Sequence, residues 1–208
     1  MIQEKVLEFK KLEDEIKSCK KCELWKTKRN YVIGEGDYDA KLMFIGEAPG
    51  REEDLQGRPF VGSAGKLLTE LIEKVIGLKR EKVYIANVLK CRPPNNRDPN
   101  PDEIKACTPY LIKQIELIEP SFIVCLGRHS ARFIFELFGL KFPSLTRVKG
   151  KIFKVITSHG KSIHVMATYH PAAVLYRPLL KDEYVKDFEK IAEYVKEKKK
   201  EKTLLDFT

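Results

Sequence analysis

The sequence predicts an α/β fold, a three-layer α/β/α sandwich built on a mostly parallel, four-stranded central sheet. Three observations point there. Short apolar runs at 41–45, 83–88, 122–126 and 163–167 are bounded by turn residues and read as buried strands. Segments of helical period lie between them, and such alternation favours right-handed βαβ units with helices covering the sheet. The loops rich in chemistry follow the carboxyl ends of the runs, where open α/β sheets bind their ligands.

Taken in order, residues 1–18 form an amphipathic helix, with Val6, Phe9, Leu12 and Ile16 at intervals of three and four. The run from Lys41 to Ile45 is a strand closed by Gly46 and the Pro49-Gly50 breaker. After Gly62-Ser63-Ala64-Gly65 a helix extends to near Ile76, and Val83 to Val88 is the second strand. Arg92 to Pro101 is too dense in Pro and Asn to be helix or strand. A helix from Asp102 to Ile118, a strand from Phe122 to Leu126 and a helix from Gly127 through Phe138 follow. Lys151 to Ile156 adds a strand or hairpin, Ile163 to Ala167 is the last central strand, and Asp182 to Lys199 is a closing helix that frays into a charged tail. No internal repeat is visible.

The chain's 208 residues, 43% of them hydrophobic, are enough for one ordinary core; one domain over 1–200 and a flexible tail over 201–208 are expected. The first residues interleave charge with apolar positions, so they hold no signal-peptide core, and no later run approaches the roughly 20 apolar residues of a membrane span. A soluble, cytoplasmic monomer is the expectation. Lys and Arg outnumber Asp and Glu by 39 to 30. The net charge of +9 favours a polyanionic partner, nucleic acid first, with part of the excess lying in the tail KEKKKEK. Only three Gln accompany 33% charged residues, a bias that fits a heat-adapted source.

Five cysteines, an odd number, argue against a disulfide framework. Cys19 and Cys22 form a C-x-x-C pair, while Cys91 and Cys107 come from a loop and a helix far downstream. Four thiolates can close round one centre, and spacing alone leaves zinc, an iron–sulfur cluster and no metal all open. Cys125, inside the run Phe122 to Leu126, is a small core residue rather than a ligand.

Gly46-Glu47-Ala48-Pro49-Gly50 follows the first strand, then Arg51-Glu52-Glu53-Asp54, then Gly57-Arg58-Pro59-Phe60-Val61-Gly62. Glycines let backbone approach a ligand, and Glu47 or Glu53 is placed to act on it. Phe60 is off any periodic apolar face, so stacking on a ligand and core packing are equal readings. Asn87 ends the second strand and offers one acceptor and two donors, enough to read the edge of a base. His170 precedes Pro171, which sets its backbone extended at a strand end.

These residues resemble the family 4 uracil-DNA glycosylases, the thermostable iron–sulfur branch of the uracil glycosylase superfamily. The resemblance rests on GEAPGREED at 46–54, GRPFVGSAG at 57–65, NVLKCRPPNNRDP at 87–99 and HPAAVL at 170–175, and spans nearly the whole chain. It implies an enzyme that flips uracil from DNA and hydrolyses its glycosidic bond to start base-excision repair. It implies a [4Fe-4S] cluster on Cys19, Cys22, Cys91 and Cys107. Phe60 is then the stacking residue and Asn87 the reader of uracil, with His170 at O2. Backbone groups of Glu47 and Ala48 cradle the base, and the Glu47 or Glu53 carboxylate orients water or steadies the sugar cation.

In the better-known branch an Asp stands where this chain has Ala48, and a Tyr where it has Gly50; Glu53 is therefore open to a steric role as well. Leu175-Tyr176-Arg177 resembles a minor-groove wedge. Ser63, Gly65 and Arg128, at helix starts, are expected phosphate contacts. The segment 201–208 resembles a sliding-clamp-binding box, with Leu204 and Phe207 as its apolar plug. The competing readings are a non-catalytic zinc module that binds nucleic acid and a nucleotide-binding enzyme; the second lacks a Gly-rich phosphate loop.

Overall fold

The computed structural model describes residues 2–157 and 160–205, with side-chain surroundings defined for all of these except 2, 199 and 201–205. One sheet organises them. Its six strands are β1 (Glu35–Gly36), β2 (Leu42–Gly46), β3 (Tyr84–Asn87), β4 (Phe122–Leu126), β5 (Ile152–Ile156) and β6 (Ser162–Thr168), in the order β1-β3-β2-β4-β6-β5. The four central strands are mutually parallel, and β1 and β5 pair antiparallel at the two edges. The expected sheet of four is thus the centre of a sheet of six. β5 answers the strand or hairpin expected at 151–156, whereas β1, two residues long, is too short to leave a period.

The central strands are buried on both sides, and side chains alternate between two cores. Met43, Ile45, Ile123 and Cys125 face one; Leu42, Phe44, Phe122, Val124 and Leu126 face the other. The first core is covered by α1 (Ile2–Lys17), α4 (Pro101–Ile118), α5 (Arg128–Leu137) and the short α6 (Leu145–Val148) through Phe9, Ile16, Leu111, Ile134, Phe135 and Val148. The second is covered by α3 (Ser63–Leu71), α7 (Pro171–Tyr176) and α8 (Lys181–Leu205) through Leu68, Val174, Tyr184, Phe188 and Ile191. A short α2 (Arg51–Gln56) crosses the loop after β2. These are the three layers expected.

Some boundaries differ. The helix expected to reach Ile76 is α3 plus a more widely wound π turn, Ile72–Ile76, closed by Gly77 at φ 75°. The loop 92–101 holds a 3₁₀ turn, Pro94–Asn96, and its last residue opens α4, where Asn100 is the N-cap and Glu103 reaches back to its N–H at 2.8 Å. The closing helix extends in backbone to Leu205 rather than Lys199. Phe207 and the side chain of Leu204 lie outside the described residues. Among the described residues no helix is long and apolar enough to cross a membrane.

Candidate active site

The carboxyl ends of β3 and β6 deliver Asn87 and His170, and the loop after β2 delivers Glu47 and Ala48, to one cavity of about 320 Å³, lined also by Glu53, Phe60 and Asn96. The size suits a single small ligand. Its floor depends on Gly46. A Cβ there would stand 2.3 Å from Asn87 Oδ1 and 2.5 Å from Phe60 Cζ, so only glycine lets both groups meet across the strand end. Phe60 holds a left-handed backbone, φ 51°, a strained choice for an aromatic residue. Gly65 locks it in: a Cβ at Gly65 would fall 1.9 Å from the Phe60 carbonyl oxygen.

Asn87 is 2% exposed, and its Oδ1 is buried without a hydrogen-bond partner. A buried polar atom left open costs about 1–3 kcal/mol, so it marks a place where a donor belongs. Opposite, the His170 ring lies 5.6 Å from that of Phe60, and His170 Nδ1 accepts the Ala172 N–H at 3.2 Å as the N-cap of α7. With Nδ1 an acceptor, the ring proton sits on Nε2, which is left as a donor. Burial pulls the His170 pKa down to about 4, against a smaller upward pull from the Glu53 carboxylate, so the ring is neutral at ordinary pH.

The two candidate carboxylates differ in situation. Glu53 accepts the N–H groups of Gly50 at 3.1 Å and of Val61 and Gly62 at 2.8 Å each. It ties α2 to the segment that carries Phe60. Among the described residues no backbone N–H anchors the Glu47 carboxylate; its Oε2 lies 3.8 Å from His129 Nε2, which is 3.5 Å from Asp98 Oδ1. Burial raises the Glu47 pKa above the ordinary carboxylate value, with His129 pulling the other way. Arg128 pairs with Asp98 and closes the group.

Cys19 follows α1, Cys22 opens a 3₁₀ turn, Cys91 follows β3 and Cys107 lies in α4; all four line one cavity with Ile16, Leu24, Leu89 and Tyr110. Burial raises the thiol pKa of Cys22 and Cys91 and pushes that of Cys107 up to about 11, where Lys90 opposes the rise. Apolar walls keep such thiols protonated unless a cationic centre draws the sulfur charge. Cys125 lies apart, fully buried in β4.

The sequence model of the uracil DNA glycosylase superfamily matches residues 33–196. Over 193 residues the chain is 60% identical to a type-4 uracil-DNA glycosylase of Archaeoglobus fulgidus, covering 93% of this chain and 95% of that protein. It is 55% identical over 185 residues to the type-4 enzyme of Sulfurisphaera tokodaii, covering 89% of this chain and 84% of that protein. With the type-4 enzyme of Thermotoga maritima it shares 44% identity over 185 residues, covering 88% of this chain and 92% of that protein. The chain belongs to the uracil DNA glycosylase superfamily.

Around the pocket of this superfamily member, Ser63 is exposed at the first turn of α3, whereas Gly65 is buried under Phe60. The Arg128 side chain is exposed at the start of α5 in its pair with Asp98. Leu175, Tyr176 and Leu179 are 46%, 86% and 98% exposed, an apolar rim beside Arg177 at the end of α7. The sequence reading missed His129 and Asp98. His129 stands two residues after Gly127, which ends the third central strand as Gly46 ends the first, and that symmetry was the available signal.

Proposed function

We propose that this protein is a uracil-DNA glycosylase, and the observation that carries the reading is the open, buried Oδ1 of Asn87. Uracil fills that vacancy with N3–H and takes the Asn87 Nδ2–H at O4. Cytosine presents an acceptor and a donor at those positions and is refused. The base stacks on Phe60, and His170 Nε2–H donates to O2. When the C1′–N1 bond breaks, its electron pair passes into the uracil ring and O2, and a donor already aimed there stabilises the charge without rearrangement. The water oxygen then bonds to C1′ and its proton passes to the Glu47 carboxylate, whose freedom from backbone anchoring favours it over Glu53 for this work.

The four cysteines that line one cavity suit a [4Fe-4S] cluster by donor set, as the resemblance of the motifs implies. When bound, the cluster supplies iron–thiolate bonds that staple α1, the segment after β3 and α4 together. Hydrolysis itself involves no oxidation or reduction. The non-catalytic zinc module leaves the pocket without use, and colour separates the two, since zinc protein is colourless and cluster protein brown. Backbone of Glu47 and Ala48 against the base, Ser63, Gly65, Arg128 and Arg177 at phosphates, and Leu175 as wedge complete the reading, within one domain, 1–200, acting as a cytoplasmic monomer. A clamp contact through Leu204 and Phe207 belongs to it too; a pull-down unaffected by deletion of 201–208 removes that part.

The direct test is a uracil-containing oligonucleotide followed by alkaline cleavage. Strand breaks are expected at uracil and not at cytosine. An intact strand at every enzyme concentration overturns the reading.

A further inference from the structure

Lys90 lines the cysteine cavity and reaches from it to the main chain at the base-reading end of β3. It is 1% exposed. Its backbone N–H donates to Cys107 Sγ at 3.2 Å, while its ammonium donates to the Asn87 main-chain carbonyl at 2.8 Å and to Gln114 Oε1 at 2.7 Å. Gln114 is itself held, donating to the Ile33 carbonyl at 2.9 Å and the Tyr84 hydroxyl at 3.0 Å. A methionine would occupy the same volume without a charge to bury, so packing does not account for a lysine here.

The two oxygen acceptors of the ammonium are neutral, and a buried cation with neutral acceptors alone is costly. Thiolates holding a centre at Cys91 and Cys107 bring the missing negative charge. The chain between the sites is short and pinned on its way: the Val88 N–H donates to the Gly46 carbonyl and the Leu89 N–H to the Glu47 carbonyl, both at 3.0 Å. A displacement at Cys91 therefore has little slack to absorb it before Asn87.

We propose that Lys90 is a positioning residue that couples the cysteine-held centre to the base-reading end of β3, its ammonium offsetting the sulfur charge on one side and fixing the Asn87 main chain on the other. The inference rests on the cluster and uracil readings given above. It predicts that the electrostatics of the centre and the affinity of the pocket change together.

The test compares the wild-type holoprotein with Lys90→Met and with Gln114→Glu. The second sets a carboxylate against the ammonium with little change of shape, and serves if the first does not fold. Iron and sulfide content, the midpoint potential of the cluster by EPR-monitored titration, and single-turnover excision against enzyme concentration are measured. Reduction adds negative charge that Lys90 no longer offsets, so the midpoint is expected to become more negative in both variants. The half-saturation concentration is expected to rise about tenfold in Lys90→Met, as for loss of a hydrogen bond from a charged donor, and less in Gln114→Glu, with the saturated rate nearly unchanged. A folded, cluster-containing variant in which either the potential or the half-saturation stays at the wild-type value overturns the coupling. Zinc in place of iron in the wild type overturns the proposal together with the cluster reading, and a wild type that leaves uracil in place does so together with the glycosylase reading.

Discussion

At the level of single residues, the pocket works by leaving two polar atoms uncommitted. Asn87 Oδ1 is buried without a partner, and His170 spends Nδ1 on its own helix start so that Nε2–H remains to give. Asn87→Asp replaces an acceptor-donor pair with two acceptors, one of which faces uracil O4. Single-turnover excision of uracil is expected to fall at least about a hundredfold, the usual cost of a misplaced donor at a charge-developing site, while the melting temperature stays close to wild type; excision within threefold would remove Asn87 from recognition. His170 gives a pH prediction. Its folded pKa of about 4 lies below the ordinary 6.5, so its share of stability is complete above pH 6.5 and drains away as pH falls from there to about 4. Ring NMR should show the Nε2–H tautomer down to about pH 5. Denaturation of His170→Leu should lack that part of the acid slope, and a ring that titrates near 6.5 refutes the neutral donor.

Among the elements, the loop after β2 shows what a carboxylate does for the backbone around it. Glu53 gathers three backbone N–H groups from both ends of the segment 50–62, and Phe60 is carried within it. Glu53→Gln turns one acceptor into a donor opposite Gly50, and is expected to lose about 2 kcal/mol of stability and to raise the half-saturation concentration while sparing the saturated rate. Glu47→Gln should do the reverse, lowering the saturated rate about a hundredfold and leaving stability nearly unchanged; equal rates in both variants would retire the carboxylate mechanism. What was legible beforehand follows the same division. Apolar runs announced β2, β3, β4 and β6 because strands buried on both faces carry no polar alternation. The two-residue β1, the single-turn α6 and the six-residue α2 and α7 left no period to read. Phe60 and His170 stood out through neighbouring glycine or proline, Asn87 as the polar end of an apolar run just before Cys91, and all three through the family motifs. His129 did not, since its tie to Glu47 exists only once β2 and β4 lie side by side.

For the whole molecule, the proposed cluster sets how the outer elements are held. α1 packs Phe9, Leu12 and Ile16 on the core that also receives Cys91, Cys107, Leu111 and Ile115, and among the described residues the segment from Cys91 to Asn100 has few backbone hydrogen bonds. The sheet's other core, with Phe44, Leu68, Val124 and Phe188, contains no cysteine. Loss of the centre should therefore loosen one side of the molecule and spare the other. On the cluster reading, Cys107→Ser, which removes one of the four thiols from the middle of α4, is expected to abolish brown absorption. Amide-exchange protection should drop by at least about tenfold in 2–26 and 88–107, while β2, β4 and α8 keep theirs as a separately opening unit. Excision should survive at low temperature and fail well below the wild-type melting point, because Asn87 is joined to the loosened segment but held in β3 by its ladder to β2. Uniform loss of protection across both cores would instead make the centre a condition of folding for the entire chain, and unchanged protection would mean that α1 and the loop are held by apolar packing alone.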